Sequence, residues 1–264
     1  YFKNDERDIT RPVYAFEITD DIAFAPATEF ILEKFTTKDS SSLHHKALII
    51  FQKLLAFHEK DSNPDALIDA DIERIQFVNQ YGVMQNKEAL YINALKSISD
   101  KYSDNPASAQ ATFLIAQTVY NKAIEASQNK DTVSKYTVIK AKGILDELVK
   151  KYPKSEGSIN AQNLLNQLLH PTINLTTEKV NVPGLPFRTL VNYKNFNQVY
   201  FRIISLTPDL KKYLTKNNDN DEAFKKLVSQ KNIKTWQQDL PKVDDYLSHS
   251  VEVKTDALPV GEYA

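Results

Sequence analysis

Residues 95–117, LKSISDKYSDNPASAQATFLIAQ, and residues 145–167, LDELVKKYPKSEGSINAQNLLNQ, together decide the fold. The second repeats the first at an offset of 50 positions. Leu95 then meets Leu145, Ile98 meets Leu148, and Lys101-Tyr102 meets Lys151-Tyr152. Ser108 meets Ser158, Ala111 meets Ala161, Leu114 meets Leu164 and Gln117 meets Gln167. Each segment is an apolar helix, then Lys-Tyr, a short loop containing proline, small residues and a second apolar helix. Pro106 and Pro153 end one helix and permit the next, because proline lacks the N–H of a helix interior but suits a first turn.

The periodicity extends the unit to Lys87–Leu169. Ala109, Phe113, Ala116, Tyr120 and Ala123 fall on one stripe of a 3.6-residue period, as do Val138, Ala141, Leu145, Leu148 and Tyr152. Leu90, Ala94, Ile98 and Tyr102 mark the helix before them, and Ala161, Leu164, Leu165 and Leu168 the helix after. Such stripes are normally buried faces. A further hairpin precedes these two. One helix over Leu43–Lys60 carries Ala47, Leu48, Phe51, Leu54, Leu55 and His58. A second, over Pro64–Tyr81, carries Leu67, Ile68, Ile72, Ile75 and Val78, with Gly82 placed for a left-handed cap. Ahead of them Val13–Ile18 reads as extended, Pro26 opens a short helix with Ala27, Phe30 and Ile31 inward, and Thr36–Ser42 is a polar loop ending in N-cap residue types. The helical part resembles the tetratricopeptide class of repeat, in which an aromatic closes the first helix and small residues open the second. Its period exceeds the usual ~34 residues, and the polar insertion at Ser127–Lys135 accounts for the excess.

At Leu169-His170-Pro171 period 3.6 gives way to period 2. Ile173, Leu175 and Thr177 alternate with polar residues, as do Phe187, Thr189, Val191 and Tyr193. Val199, Phe201 and Ile203 follow, then Val251 and Val253. Pro183-Gly184 marks a turn. Short strands with turn signals predict an antiparallel sandwich. A polar insertion over Thr207–Lys234 interrupts it, with a short helix at Asp221–Gln230 and a strand near Trp236–Leu240. The expected domains are therefore residues 1–170, a helical repeat, and residues 171–264, a β-sandwich.

Composition excludes several functions. The chain of 264 residues is 42% hydrophobic and 25% charged, with a formal net charge of −1, so no global field draws it to nucleic acid or an anionic membrane. It has no cysteine, which removes disulfides, thiolate metal sites and a cysteine nucleophile. Five glycines make a phosphate-cradling loop unexpected. No apolar run reaches the ~20 residues of a membrane span. The opening Tyr1-Phe2 and the closing Gly261-Glu262-Tyr263-Ala264, which reads as a strand cut short, suggest a fragment whose export or anchor signal would lie upstream.

A second resemblance covers most of the chain. Ile173-Asn174-Leu175-Thr176-Thr177-Glu178-Lys179-Val180, Pro183-Gly184, Val191-Asn192-Tyr193-Lys194-Asn195, Val199–Ile204 and the ending Leu258-Pro259-Val260-Gly261-Glu262-Tyr263 resemble a macroglobulin-type β-sandwich domain. The family is that of the bacterial α2-macroglobulins, in particular the large Bacteroidetes members. Their helical region ahead of the first macroglobulin domains is similar to Lys46-Ala47-Leu48, Leu54–His58 and Ala66–Asp69 here. The resemblance implies a non-enzymatic N-terminal scaffold of a periplasmic or lipid-anchored envelope protein. The parent traps or inhibits proteases, its partners are proteins, and the fragment itself has no cofactor. The family's thioester needs a cysteine, so none of its reactive residues can be carried over. A peptide-binding periplasmic adaptor is the alternative, and a glycan hydrolase with a carboxylate pair a distant third.

Individual residues give no site. His44 and His45 are adjacent on a helix, about 100° apart, and cannot readily share a metal. His58 reads as a hydrogen-bonded core histidine and His170 as a junction residue. Asp69, Asp71 and Glu73 spread over several helix faces and read as solvated surface. Asn217–Glu222 lacks the glycine and ligand order of a calcium loop. Trp236, the only tryptophan, reads as core or edge packing. Asn174-Leu175-Thr176 matches a glycosylation sequon, a frequent chance match.

Overall fold

A computed structural model describes residues 13–128, 134–217 and 221–264. Helices come first and antiparallel strands second, in two compact units: one through Gln167, the other Leu168–Ala264. The first holds α1 (Ala27–Phe30), α2 (Leu43–His58), α3 (Asp65–Tyr81), α4 (Lys87–Lys101), α5 (Ala109–Gln128), α6 (Ser134–Lys151) and α7 (Glu156–Leu169), the last turn of α7 crossing the boundary. The striped residues of α5 are all buried, with Ala109 and Ala116 at 0% exposure. Val138, Ala141, Leu145 and Leu148 line α6 in the same way, and Ala161, Leu164, Leu165 and Leu168 line α7. Each of α2 to α5 packs on the helix that follows it. On α2 the apolar face is narrower than its composition implies: Ala47, Leu48, Phe51 and Leu55 are buried, whereas Ile50, Leu54 and Phe57 face solvent.

The fifty-residue echo is a physical one. The ammonium groups of Lys101 and Lys151 each lie 5.0 Å over the ring of the tyrosine that follows. Asn105 caps the turn before α5 through Ala107 N, and Ser155 receives Ser158 N at the start of α7. The corners then join. Asn105 Nδ2 donates to Asp65 Oδ1 at 2.8 Å, Lys151 Nζ and Tyr152 OH both donate to Ser103 O, and Asn160 Nδ2 donates to Gln110 Oε1 at 3.0 Å. The backbones meet at Gly157, where a Cβ would stand 2.3 Å from Ala109 C and 2.5 Å from Gln110 N.

Gly82 is not the left-handed cap its position suggested. Its backbone is extended (φ −68°, ψ 146°) and bridges Ile18 in parallel. The glycine is needed for space, since a Cβ would meet Val78 O at 2.6 Å and Met84 Sδ at 2.7 Å. Val13–Ile18 is largely irregular rather than extended, and only Ile18 pairs. Of the polar insertion predicted at Ser127–Lys135, residues 129–133 lie outside the described residues, as do Arg11 and Pro12.

In the second unit β1 (Thr172–Thr177), β2 (Phe187–Lys194) and β5 (His249–Thr255) form an antiparallel sheet in the order β1-β2-β5. β3 (Gln198–Ile204) and β4 (Asn232–Asp239) form a second, with Phe201 opposite Trp236. Val191 and Tyr193 of β2, Val253 of β5 and Leu240 share one core with Val199 and Phe201 of β3 packed against it. Asn195, at φ 61°, takes the left-handed conformation between β2 and β3 that asparagine tolerates. Two features depart from the pattern. β1 is exposed along its whole length despite its alternation, whereas β5 at the other edge buries Val253 and Thr255. The insertion holds two helices, α8 (Pro208–Lys216) and α9 (Asp221–Val228), where one was expected. The missed signal for α8 is Thr207-Pro208: the threonine accepts from Leu210 N and the proline fills the first turn.

Two glycine substitutions should separate packing from propensity. Gly157→Ala is expected to destabilise the protein by at least the ~1–3 kcal/mol typical of overpacking, since backbone and not a flexible side chain must move. Gly143→Ala, on an exposed part of α6 with nothing within 4 Å of the new Cβ, is expected to stabilise it by about 0.5–1 kcal/mol. Denaturant midpoints of the two variants read both effects.

Candidate functional site

The helix α3 carries Leu67, Asp71, Arg74 and Val78 at i, i+4, i+7 and i+11, so two charged residues share a stripe with two apolar ones. All four are buried, and Arg74 has 0% exposure. A buried guanidinium is tolerated only if its charge and donors are met. Arg74 Nε and Nη2 donate to Asp71 Oδ1 at 2.8 and 2.6 Å. Nη1 donates to Ala23 O at 2.5 Å and Nη2 to Ala25 O at 2.9 Å. The guanidinium carbon also stands 4.5 Å from the centroid of the Phe30 ring, which adds a cation–π attraction.

These bonds tie residues 16–42 across the helices. Asp20 caps the 3-10 turn Asp21–Phe24 by accepting from Ile22 N, and Arg74 takes the carbonyls at its far end. Phe24 is buried edge-on to Tyr91, whose phenol burial pushes up to about 12. Val83 N donates to Ile18 O. Gln52 Nε2 donates to Phe30 O and Glu33 O, both at 2.8 Å. His45 Nε2 lies 2.7 Å from Phe35 O, and its ring meets Phe16 edge-on. Asp39 accepts from Phe16 N and Ser41 Oγ, which hold its carboxyl below the ordinary 3.8.

Beside this strap lies a cleft of about 230 Å³. Phe24, Leu90 and Ile98 line it with buried Asp71 and Arg74 and exposed Asp21, Asn93, Ser97 and Lys101. Burial pushes the Asp71 carboxyl up against the pull of Arg74 and, more weakly, Lys101. Burial likewise lowers Arg74, which stays cationic at any ordinary pH. No histidine lines the cleft, and Asp71 is tied to a fixed cation. The buried pair therefore holds a chain segment through the Ala23 and Ala25 carbonyls.

Asp71 is thus not solvated surface, although Asp69 and Glu73 are exposed. Tertiary burial overrode the usual preference of a carboxylate for water, because Arg74 on the next turn supplies the countercharge. Arg74 itself was missed; its signal was the charged pair set into the apolar stripe. His44 and His45 part company as expected of helix neighbours, His44 packing between Phe77 and Tyr81 at 5.8 and 4.3 Å. His58 is half-buried at the end of α2, with Nδ1 2.7 Å from Asp61 Oδ2, so it is hydrogen-bonded but not core. His170 is exposed. Asn217 closes α8 by donating to Tyr213 O, and Asp221 and Glu222 open α9, while Asn218–Asn220 lie outside the described residues. Trp236 is half-buried and stacks on Phe201 at 4.8 Å and 13°, which is the edge packing expected of it. Among the described residues no three His, Asp or Glu side chains gather as a metal-binding group, and no helix is long and apolar enough to cross a membrane. Compared with protein-family models, curated proteins and solved structures, the chain matches none.

Arg74→Leu is expected to cost about 3–5 kcal/mol, because Asp71 stays buried without its partner. Hydrogen exchange should show the strap around Ala23–Ala25 losing protection first. The acid limb tests Asp39. Its folded pKa is below the unfolded value, so its stabilisation is present above about pH 3.8 and lost as pH falls through the folded value. Asp39→Asn should therefore lose less stability than the parent between pH 5 and pH 2, as read from thermal midpoints. Asp71, raised, has the opposite sign: its contribution is present below 3.8 and lost as pH rises through the folded value.

Proposed function

We propose that this chain is a non-enzymatic scaffold and interaction region of a bacterial α2-macroglobulin-like protein. It comprises a tetratricopeptide-like helical repeat followed by a macroglobulin-like β-sandwich. The parent protein traps or inhibits proteases at the cell envelope, in the periplasm and held by a lipid anchor. The observation that carries the reading is the second unit, in which two antiparallel sheets share one core. In it the end of the Leu258–Tyr263 motif lies antiparallel just past β3, with Tyr263 bridging Ser205 and Glu262 O accepting from Leu206 N, while Leu258 O accepts from Gly184 N. The first unit supplies stiffness: its corner-to-corner bonds from Asp65 to Asn105 and from Ser103 to Lys151 and Tyr152 suit a structural arm. The adaptor reading is weaker, since the chain's own residues 18–35 lie on α2, α3 and α4, where an extended peptide would need room.

The test uses the full-length protein and a panel of endopeptidases. Trapping predicts that cleavage of a large protein substrate falls severalfold while cleavage of a small chromogenic peptide continues, because a caged protease still admits small substrates. Unchanged cleavage of both substrates across the panel would overturn the proposal. So would a reading frame whose next domains are not further β-sandwiches of roughly 100 residues.

A further inference from the structure

We propose that the cleft beside the strap binds a free α-amino acid with an apolar side chain. Asp71 Oδ2 accepts from its ammonium group, Lys101 donates to its carboxylate, and its side chain lies against α4.

The first support is an unused acceptor. Asp71 is 6% exposed, and both bonds it receives from Arg74 end on Oδ1. Oδ2 receives no hydrogen bond among the described residues, and Asp71 lines the cleft. A carboxylate oxygen withdrawn from most of its water bonds a charged donor more strongly than a neutral one. Asp21, exposed on the strap, adds a second carboxylate to the same lining. The second support is an unmatched cation. Lys101 lines the cleft and pulls electrostatically on the Asp71 carboxyl. Its ammonium rests over the Tyr102 ring and, among the described residues, pairs with no carboxylate. An anion placed there gains a charge-assisted bond at little desolvation cost, because Lys101 is exposed.

The third support is size and wall. The cleft, at about 230 Å³, is smaller than the ~300–1,000 Å³ of sites for drug-sized ligands. Leu90, Ala94 and Ile98 form one row along α4 and, with Phe24 of the strap, give the cleft an apolar wall. Ser97 and Lys101, one turn apart on the neighbouring row, bring a hydroxyl and an ammonium to the same cleft. The occupant must therefore be small, carry a cationic donor and an anion close together, and present an apolar group beside them. An α-amino acid bears its two charges on one carbon and its side chain on the same atom. A fatty acid has no donor for Asp71, and a neutral sugar has no charge for Lys101.

Calorimetric titration of the 264-residue chain with L-leucine, L-isoleucine and L-phenylalanine tests this. The expected result is saturable binding of one amino acid per chain. N-acetyl-L-leucine lacks the ammonium and L-leucinamide lacks the carboxylate, so each should bind about tenfold more weakly than leucine or worse, as loss of a charge-assisted bond requires. Lys101→Gln should weaken leucine by a similar factor and leave leucinamide no weaker than before, since the amide gives Lys101 no anion. Lys96→Gln, on another face of α4, should change neither. Unaltered circular dichroism and melting midpoints show that the variants fold. Absence of saturable binding by all three amino acids overturns the proposal. So does N-acetyl-leucine that binds as well as leucine, or a Lys101→Gln chain that binds leucine undiminished.

Discussion

A full positive charge with no exposure sits inside the helical unit, and much of that unit is arranged to make it tolerable. Moving a guanidinium out of water costs several kcal/mol even after relaxation. Arg74 recovers this from one carboxylate oxygen, two peptide carbonyls and an aromatic face. The carbonyls belong to Ala23 and Ala25, so satisfying the charge also holds the N-terminal strap. Phe24 and Phe30 are buried as a consequence, and the cleft beside them takes its shape from where the strap lies. An apolar residue at position 74 would leave the Ala23 and Ala25 carbonyls without the donors Arg74 gives them.

The helices beyond this point are held by a different means. Small residues at 109, 116, 141 and 161 let neighbours approach, and Gly157 brings one backbone onto another. Polar bonds between successive corners then fix the register that apolar contact alone leaves loose. Nondirectional burial supplies most of the free energy, and a few directional bonds select the arrangement. In the second unit the same division appears as the shared core around Val191 and Tyr193, with Tyr193 OH donating to Pro241 O.

The buried charge is neutralised internally, the strap forms one wall of the cleft, and Lys101 and Lys151 each lie over the ring of the tyrosine that follows.

The rhythm of side chains alone determined that helices precede strands, and where most of them begin. A stripe at period 3.6 or 2 buries one face whatever it packs against, so Ala109 to Ala123 and Phe187 to Tyr193 were legible. The fifty-residue echo was legible too, because matching corners need matching residues. Tertiary structure decided the rest. Asp71 and Arg74 look like ordinary surface charges until their burial is known, since pairing depends on chain 49 and 51 positions away. Gly82 could be a left-handed cap or a point of close approach, and only the arrival of Ile18 beside it chose the second. β1 has the alternation of a half-buried strand, yet it is exposed throughout, because burial depends on what packs over a strand and local sequence does not encode that. Local patterns report what a residue prefers; long-range contacts determine whether that preference is met.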